Sequence, residues 1–137
     1  MNRTKTELRV RYAETDRMGV VHHAEYLVWF EVGRSDYFRA LGQDYGEWEH
    51  KGVFLPVSEA YARYHAPARF GDRVIVHTWL GQVRSRSITL HYEVRREDGQ
   101  KLVSGWTKHI CMDRAGRARR LPAEMLHALE EETSGVC

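Results

Sequence analysis

Tyr26-Leu27-Val28-Trp29-Phe30-Glu31-Val32-Gly33-Arg34-Ser35-Asp36-Tyr37-Phe38-Arg39-Ala40-Leu41 carries the one long helical pattern of the chain. Tyr26, Phe30, Gly33, Tyr37 and Leu41 recur at helical spacing, while Glu25, Arg34, Ser35, Asp36 and Arg39 fall mostly elsewhere on the cylinder. The spacing predicts a helix that opens at His22 or His23 and closes at Leu41, with Gly42 as its stop. Trp29 and Val32 widen the apolar band, so the helix is expected to touch more than one surface. Gly33 costs such a helix about 1 kcal/mol relative to Ala, which a close backbone approach would offset.

Outward from this helix the pattern turns to strands. Residues 7–13 alternate, with Leu8, Val10 and Tyr12 on one face. A loop follows over 14–21. Beyond a second loop carrying Gly46 and Gly52, strands are expected over 53–65, 73–83, 86–96 and 101–112. Val74, Val76, Thr78 and Leu80 share one face of the second of these, and Ile88, Leu90, Tyr92 and Val94 one face of the third. Asp98-Gly99 is a hairpin turn. Pro122 opens a short terminal helix with Met125, Leu126 and Leu129 inward. The order is one strand, one long helix, then four strands in an antiparallel meander. A single helix cannot cover both faces of five strands. The sheet therefore wraps the helix or pairs with another subunit, and its edges suit strand pairing across a dimer.

The bulk numbers narrow the field. At 137 residues the chain is expected to form one domain over 1–137. A formal charge of +2 does not argue for nucleic acid. Cys111 and Cys137 form neither a CxxC pattern nor a disulfide framework. With no apolar run of a secretory signal and none long enough to span a bilayer, a cytoplasmic protein is expected, with no membrane insertion.

Asp16 is the sharpest chemical candidate. A loop Asp before a helix ordinarily makes an Asx turn. Here it stands with Gly19, which permits close backbone approach, and with a helix start a few residues on. A carbonyl oxygen placed on helix-start N–H groups would develop charge where donors already point. Asp16 could then serve as nucleophile or as general base on water. His22 and His23 are adjacent and diverge on a helix, and the remaining histidines lack zinc spacing, so no metal is expected. Cys111, near His109, reads as a buried inert thiol. Arg84-Ser85-Arg86-Ser87 at a hairpin has the composition of a phosphate contact, and Arg114, Arg117, Arg119 and Arg120 form a second basic group.

Asp16-x-x-Gly19-Val20-Val21-x-His23-x-x-Tyr26, with Phe30-Glu31-x-x-Arg34, resembles the hotdog-fold acyl-CoA thioesterases of the 4-hydroxybenzoyl-CoA thioesterase family. The resemblance continues through Tyr64-His65-Ala66-Pro67-Ala68-Arg69-Phe70-Gly71-Asp72 and Ser85-Arg86-Ser87-Ile88, and so spans most of residues 8–112. It implies an α+β hotdog fold, a curved antiparallel sheet of about five strands wrapped around one central helix, with a short C-terminal helix. It implies that Asp16 is the catalytic carboxylate, that the His23 backbone N–H polarises the thioester carbonyl, and that Gly19 shapes the turn between them. His22, Tyr26 and the hairpin Arg84, Ser85, Arg86 and Ser87 are the implied substrate contacts, the hairpin taking the nucleotide end of coenzyme A. A homodimer or homotetramer is implied, and no cofactor. Glu25 stands where relatives often carry Asn, and Gly33 where Ala is common.

The function this implies is hydrolysis of an acyl-CoA, or acyl carrier protein, thioester to free acid and thiol. Two other classes remain open on the sequence: a non-catalytic acyl-CoA or fatty-acyl binding hotdog protein, and a hotdog hydratase or dehydratase. Neither the His-Phe-Pro-Gly nor the Asp-x-x-x-x-His pattern of the latter occurs.

Overall fold

The computed structural model describes residues 3–134, with side chains through Glu132. Cys137 lies outside the described residues. The centre of the molecule is an antiparallel meander of β3 (Arg73–Val83), β4 (Ser87–Arg96) and β5 (Lys101–Ile110). Strict alternation makes these strands. Val74, Val76, Leu80, Ile88, Leu90, Tyr92 and Val94 all bury on one face, each large aliphatic contributing about 1.5–3 kcal/mol. The β4–β5 turn closes where Asp98-Gly99 predicts. Asp98 Oδ1 accepts the Gln100 N–H at 2.9 Å, and Gly99 takes φ 94°.

The predicted four-strand meander fails at one point. β2 (Val57–Tyr64) does not pair with β3 but lies outside β5, and β1 (Thr4–Arg9) occupies the other edge, giving the order β1-β3-β4-β5-β2. Residues 65–72 therefore cross the end of the sheet instead of making a hairpin. They are tied down along the way: His65 and Ala66 N–H groups donate to Leu102 O, and the Val10 N–H donates to Asp72 O. Sequence periodicity makes a strand but carries no record of which neighbour it takes.

Against the concave face lies α1 (Glu25–Ala40), which buries Tyr26, Trp29, Phe30, Gly33, Arg34, Tyr37 and Phe38. Phe30 stacks on Tyr92 with ring centroids 4.3 Å apart. A Cβ at Gly33 would stand 2.5 Å from Thr78 Oγ1 and 2.7 Å from Val76 Cγ1. The close approach expected at Gly33 is thus made by side chains of β3, and any larger residue would lift the helix off the sheet. Register shifts at Leu80/Gln82 and Val94/Arg95 add the local bends that let the sheet curl around α1.

Several boundaries differ from the sequence reading: the strand expected from residue 53 begins at Val57, with only an isolated Phe54–Met112 bridge ahead of it. The first strand ends at Arg9 and the chain tightens into a single 3-10 turn, Tyr12–Glu14, which leaves Tyr12 exposed instead of inward. A short helix α2 (Tyr45–His50) occupies the loop around Gly46, its start capped by Asp44, whose Oδ1 accepts the Gly46 and Glu47 N–H groups. Asp44 followed three residues later by Glu47 was the available signal. α1 opens at Glu25 rather than at His22 or His23, because residues 22–24 form a turn with the Glu25 N–H on His22 O. The terminal helix α3 (Ala123–Ser134) follows Pro122 as expected, with Met125 and Leu129 fully buried and Leu126 partly so.

Candidate active site

The loop ahead of α1 is a small antiparallel hairpin. The His22 N–H donates to Glu14 O, Thr15 bridges Val21, and the Asp16 N–H donates to Val20 O at 2.8 Å. Gly19 closes its tip at φ 80°, a left-handed conformation that side chains resist. Inside the tip Asp16 makes the Asx turn its residue type favours. Oδ1 accepts the Met18 N–H at 2.8 Å and the Val20 N–H at 3.3 Å. Oδ2 meets no donor among the described residues, and the side chain is exposed. One carboxylate oxygen is fixed and the other is open. His23 follows Val20 by three residues, a reach of about 10 Å at full extension.

A buried carboxylate that the sequence reading passed over holds this hairpin to the helix. Glu14 is 5% exposed. Its Oε1 accepts the Arg11 N–H and its Oε2 the Trp29 indole N–H, both at 2.8 Å. Burial alone would push the Glu14 carboxyl up, but these donors and the Arg11 guanidinium outweigh it and hold the group below the usual carboxylate value. Arg11 to Glu14 is a capping spacing, which was the signal in the sequence.

The crossing segment 65–72 completes the site. The Val21 N–H donates to Ala68 O at 2.8 Å, and Val20 bridges Arg69. The Tyr26 hydroxyl accepts the Ala68 N–H at 3.2 Å, and burial raises its own ionisation. From β2, the Tyr64 hydroxyl donates to His23 O at 3.0 Å. That bond fixes the peptide at the helix entry from its carbonyl side. The His23 N–H meets no acceptor among the described residues. Between these elements lies a cleft of about 340 Å³ lined by Val21, His23, Tyr26, Tyr64, His65, Ala66 and Pro67.

The structure thus gathers His23 and Tyr26 on one cleft and sets Asp16 and Gly19 on the adjoining hairpin, outside its walls. The His23 N–H belongs to the turn before α1, not to the helix proper, which corrects the expected helix-start donor. The rings of His22 and His23 do not diverge but face each other at 4.3 Å, because a turn, not a helix, joins them. His22 Nδ1 accepts the Ala24 N–H. Arg84, Ser85, Arg86 and Ser87 lie at the far end of β3 from this site, about 33 Å along the strand from Arg73. Arg84, Ser85 and Arg86 are exposed. Ser87 is 8% exposed and pairs with Ile110 as the first residue of β4, so it is part of the sheet rather than of a ligand surface. Cys111 is fully buried, and burial pushes its thiol up, as expected of an inert residue.

A five-stranded antiparallel sheet curled around one long helix is the hotdog architecture. The profile of the thioesterase-like superfamily matches residues 10–129, and the chain belongs to that family. Among its relatives, YneP of Bacillus subtilis (strain 168), named for a proposed acyl-CoA thioesterase activity, is 40% identical over 114 residues, 83% of either chain. The 1,4-dihydroxy-2-naphthoyl-CoA hydrolase of Thermosynechococcus vestitus is 30% identical over 128 residues, covering 89% of this chain and 88% of that one. The crystal structure of a DHNA-CoA thioesterase from Staphylococcus aureus superposes with a TM-score of 0.93 at 32% identity, over 99% of this chain and 93% of that chain. Among the described residues no helix is long and apolar enough to cross a membrane.

Proposed function

We propose that this single-domain chain hydrolyses acyl-CoA thioesters, with Asp16 as the carboxylate that drives the reaction and the His23 N–H as the donor that takes the developing negative charge. The observation that carries this is the asymmetry of Asp16: Oδ1 locked by two backbone donors, Oδ2 open, on a hairpin that leads directly to an unpaired N–H. A thioester carbonyl oxygen on that N–H gains charge in the transition state, so the donor strengthens as the barrier is climbed. The dipole of α1 adds to it. Asp16 Oδ2 then attacks the carbonyl carbon, expelling the thiolate and leaving an anhydride that water opens, or it removes a proton from the attacking water. Repeated turnover in 18O-labelled water bears on the choice: label appearing in the Asp16 carboxyl marks direct attack, with water opening the anhydride at the Asp16 carbon.

A second copy of the chain completes the proposed site. Met18, Tyr12 and Phe70 around the Asp16 hairpin are 83%, 77% and 62% exposed, and Tyr64 of the cleft is 48% exposed on the unpaired edge of β2. Pairing β2 with its counterpart would cover that edge and enclose the cleft. With the length of β3 between that hairpin and the Asp16 loop, Arg84, Ser85 and Arg86 would reach the coenzyme A phosphates from a chain other than the one supplying Asp16. The relatives above are named for aryl and acyl coenzyme A esters, and Tyr26 and Tyr64, with ring centroids 5.4 Å apart, offer an aromatic wall to either.

The test is Asp16→Asn assayed by thiol release over a panel of aromatic and aliphatic acyl-CoAs. Turnover falls by orders of magnitude while the fold survives, because Asn retains the Asx-turn acceptor. Turnover near that of the wild type overturns the assignment. Tight acyl-CoA binding by the wild type with no thiol released would instead identify a binding protein.

A further inference from the structure

The two halves of the proposed chemistry ride on different elements. Asp16 belongs to the hairpin over residues 15–21, and the His23 N–H belongs to the entry of α1. Their separation is only as fixed as the join between hairpin and helix. The crossing segment holds the hairpin from one side, through the Val21 N–H on Ala68 O and the Val20 bridge to Arg69. Toward α1, residues 12–21 make one side-chain hydrogen bond among the described residues. It runs from the Trp29 indole N–H to Glu14 Oε2 at 2.8 Å.

Glu14 touches both halves. It stands two residues before Asp16, and its backbone O accepts the His22 N–H at 2.9 Å, one residue before the proposed donor. Trp29 is buried and packs edge-on against Tyr26, a wall of the cleft, with ring centroids 4.9 Å apart. A buried indole N–H needs an acceptor, but a neutral carbonyl would serve, and burying a carboxylate is costly. What this position demands is acceptance on both oxygens. Oε1 takes the Arg11 N–H and Oε2 the Trp29 N–H, and both of those groups can only donate. An amide would turn its own NH2 against one of them. The Arg11 guanidinium, 3.5 Å from Oε2, offsets the charge. The result is a charged, doubly held tie, stronger than a neutral hydrogen bond could make.

We propose that Glu14 is a positioning residue for thioester hydrolysis: its bond to Trp29 locks the Asp16 hairpin to α1 and so sets the distance between Asp16 Oδ2 and a thioester carbonyl held at the His23 N–H. This role rests on the assignment of Asp16 and of the His23 N–H. Glu14 meets no substrate and acts through Asp16. Misplacing a reacting group by about 1 Å costs on the order of a hundredfold in rate. Loosening the tie therefore lowers kcat, while the contacts that bind acyl-CoA, and with them KM, are left alone.

The experiment is steady-state thiol release by Glu14→Gln, Trp29→Phe and the double variant, with Asp16→Asn in parallel, at a temperature where circular dichroism shows them folded. Each single variant is expected to lose about ten- to a hundredfold in kcat, with KM within about twofold of the wild type. The double variant is expected to lose no more than the worse single one, because both changes cut the same bond. Trp29→Phe alone decides the matter if Glu14→Gln does not fold. A wild-type kcat in folded Trp29→Phe overturns the proposal. So does a loss carried by KM, or a double variant whose loss is the product of the single ones, since either marks a general packing defect. An inactive Asp16→Asn beside fully active Glu14→Gln and Trp29→Phe sinks the role of Glu14 alone, whereas wild-type turnover by Asp16→Asn sinks the Asp16 assignment and this role with it.

Discussion

Lowering the pH from 7 to 5 should cost this fold about 2 kcal/mol through one histidine. His109 is fully buried on β5. Its Nδ1 lies 2.9 Å from Leu55 O, a group that only accepts, so Nδ1 carries the proton and Nε2 is the acceptor. The direction of a whole chain follows. Thr107 donates to His109 Nε2 at 2.8 Å, Tyr92 donates to Thr107 at 2.7 Å, and Arg34 donates to Tyr92 at 3.2 Å. A second proton on His109 would turn Nε2 into a donor against the Thr107 hydroxyl and would add a charge beside Arg34. Burial first, and the Arg34 charge second, push His109 from an ordinary 6.5 down to about 4. The unfolded chain therefore binds more protons between these values, and stability is full above about 6.5 and lost as pH falls toward about 4. The gap amounts to about 3 kcal/mol once complete, of which about 2 kcal/mol is lost by pH 5. His65, His77 and His91 are also held low by burial and share the same sign, so the measurement is a difference. Urea unfolding of the wild type and of His109→Asn at pH 7 and pH 5, at fixed salt, should show the smaller pH loss in the variant by about 2 kcal/mol. Equal losses in the two proteins, or a His109 imidazole that protonates near pH 6 by NMR, would refute the argument.

Other expectations follow from single contacts. Glu14→Gln should cost about 1–3 kcal/mol by weakening the charged contacts to Trp29 and Arg11. Because the folded Glu14 carboxyl lies below its ordinary value, its stabilisation is present above about pH 4.5 and lost as pH falls through the folded value, so the variant's acid unfolding limb should flatten. Gly33→Ala should destabilise by about 1–3 kcal/mol in thermal unfolding despite its better helix propensity, because the methyl meets Thr78 and Val76. Tyr64→Phe frees the His23 carbonyl and should lower kcat for thiol release severalfold with little change in KM. Sedimentation should find a dimer or a larger assembly at micromolar concentration, and a monomer would refute pairing through β2.

Period and turn chemistry were enough to write down α1, β3, β4 and β5, because each is settled by residues close in sequence: alternation, helical spacing, Asp98-Gly99, Pro122. The candidate site was legible as far as its tip. Asp16 and Gly19 mark a turn by residue type, and the turn forms. Where local signals compete, the reading slipped. Tyr12 continued an alternating pattern, but Glu14 reaching back to the Arg11 N–H made a 3-10 turn the better solution. His22 and His23 extended a helical pattern, but the His22 ring and carbonyl took the next donors and delayed the helix to Glu25.

What no local pattern contains is partnership across the chain. β2 lies beside β5 rather than β3, so residues 65–72 pass over the helix entry and bring Ala68 and Tyr64 to the loop that carries Asp16. The distance of Arg84, Ser85 and Arg86 from that loop, and the burial of Arg34 without a carboxylate, are likewise products of packing. The sequence by itself determined which segments are strand, helix and turn, since those choices rest on residues a few positions apart. Only the tertiary structure decided which of them meet, since hydrogen-bonded edges and apolar faces accept many partners until the whole core closes.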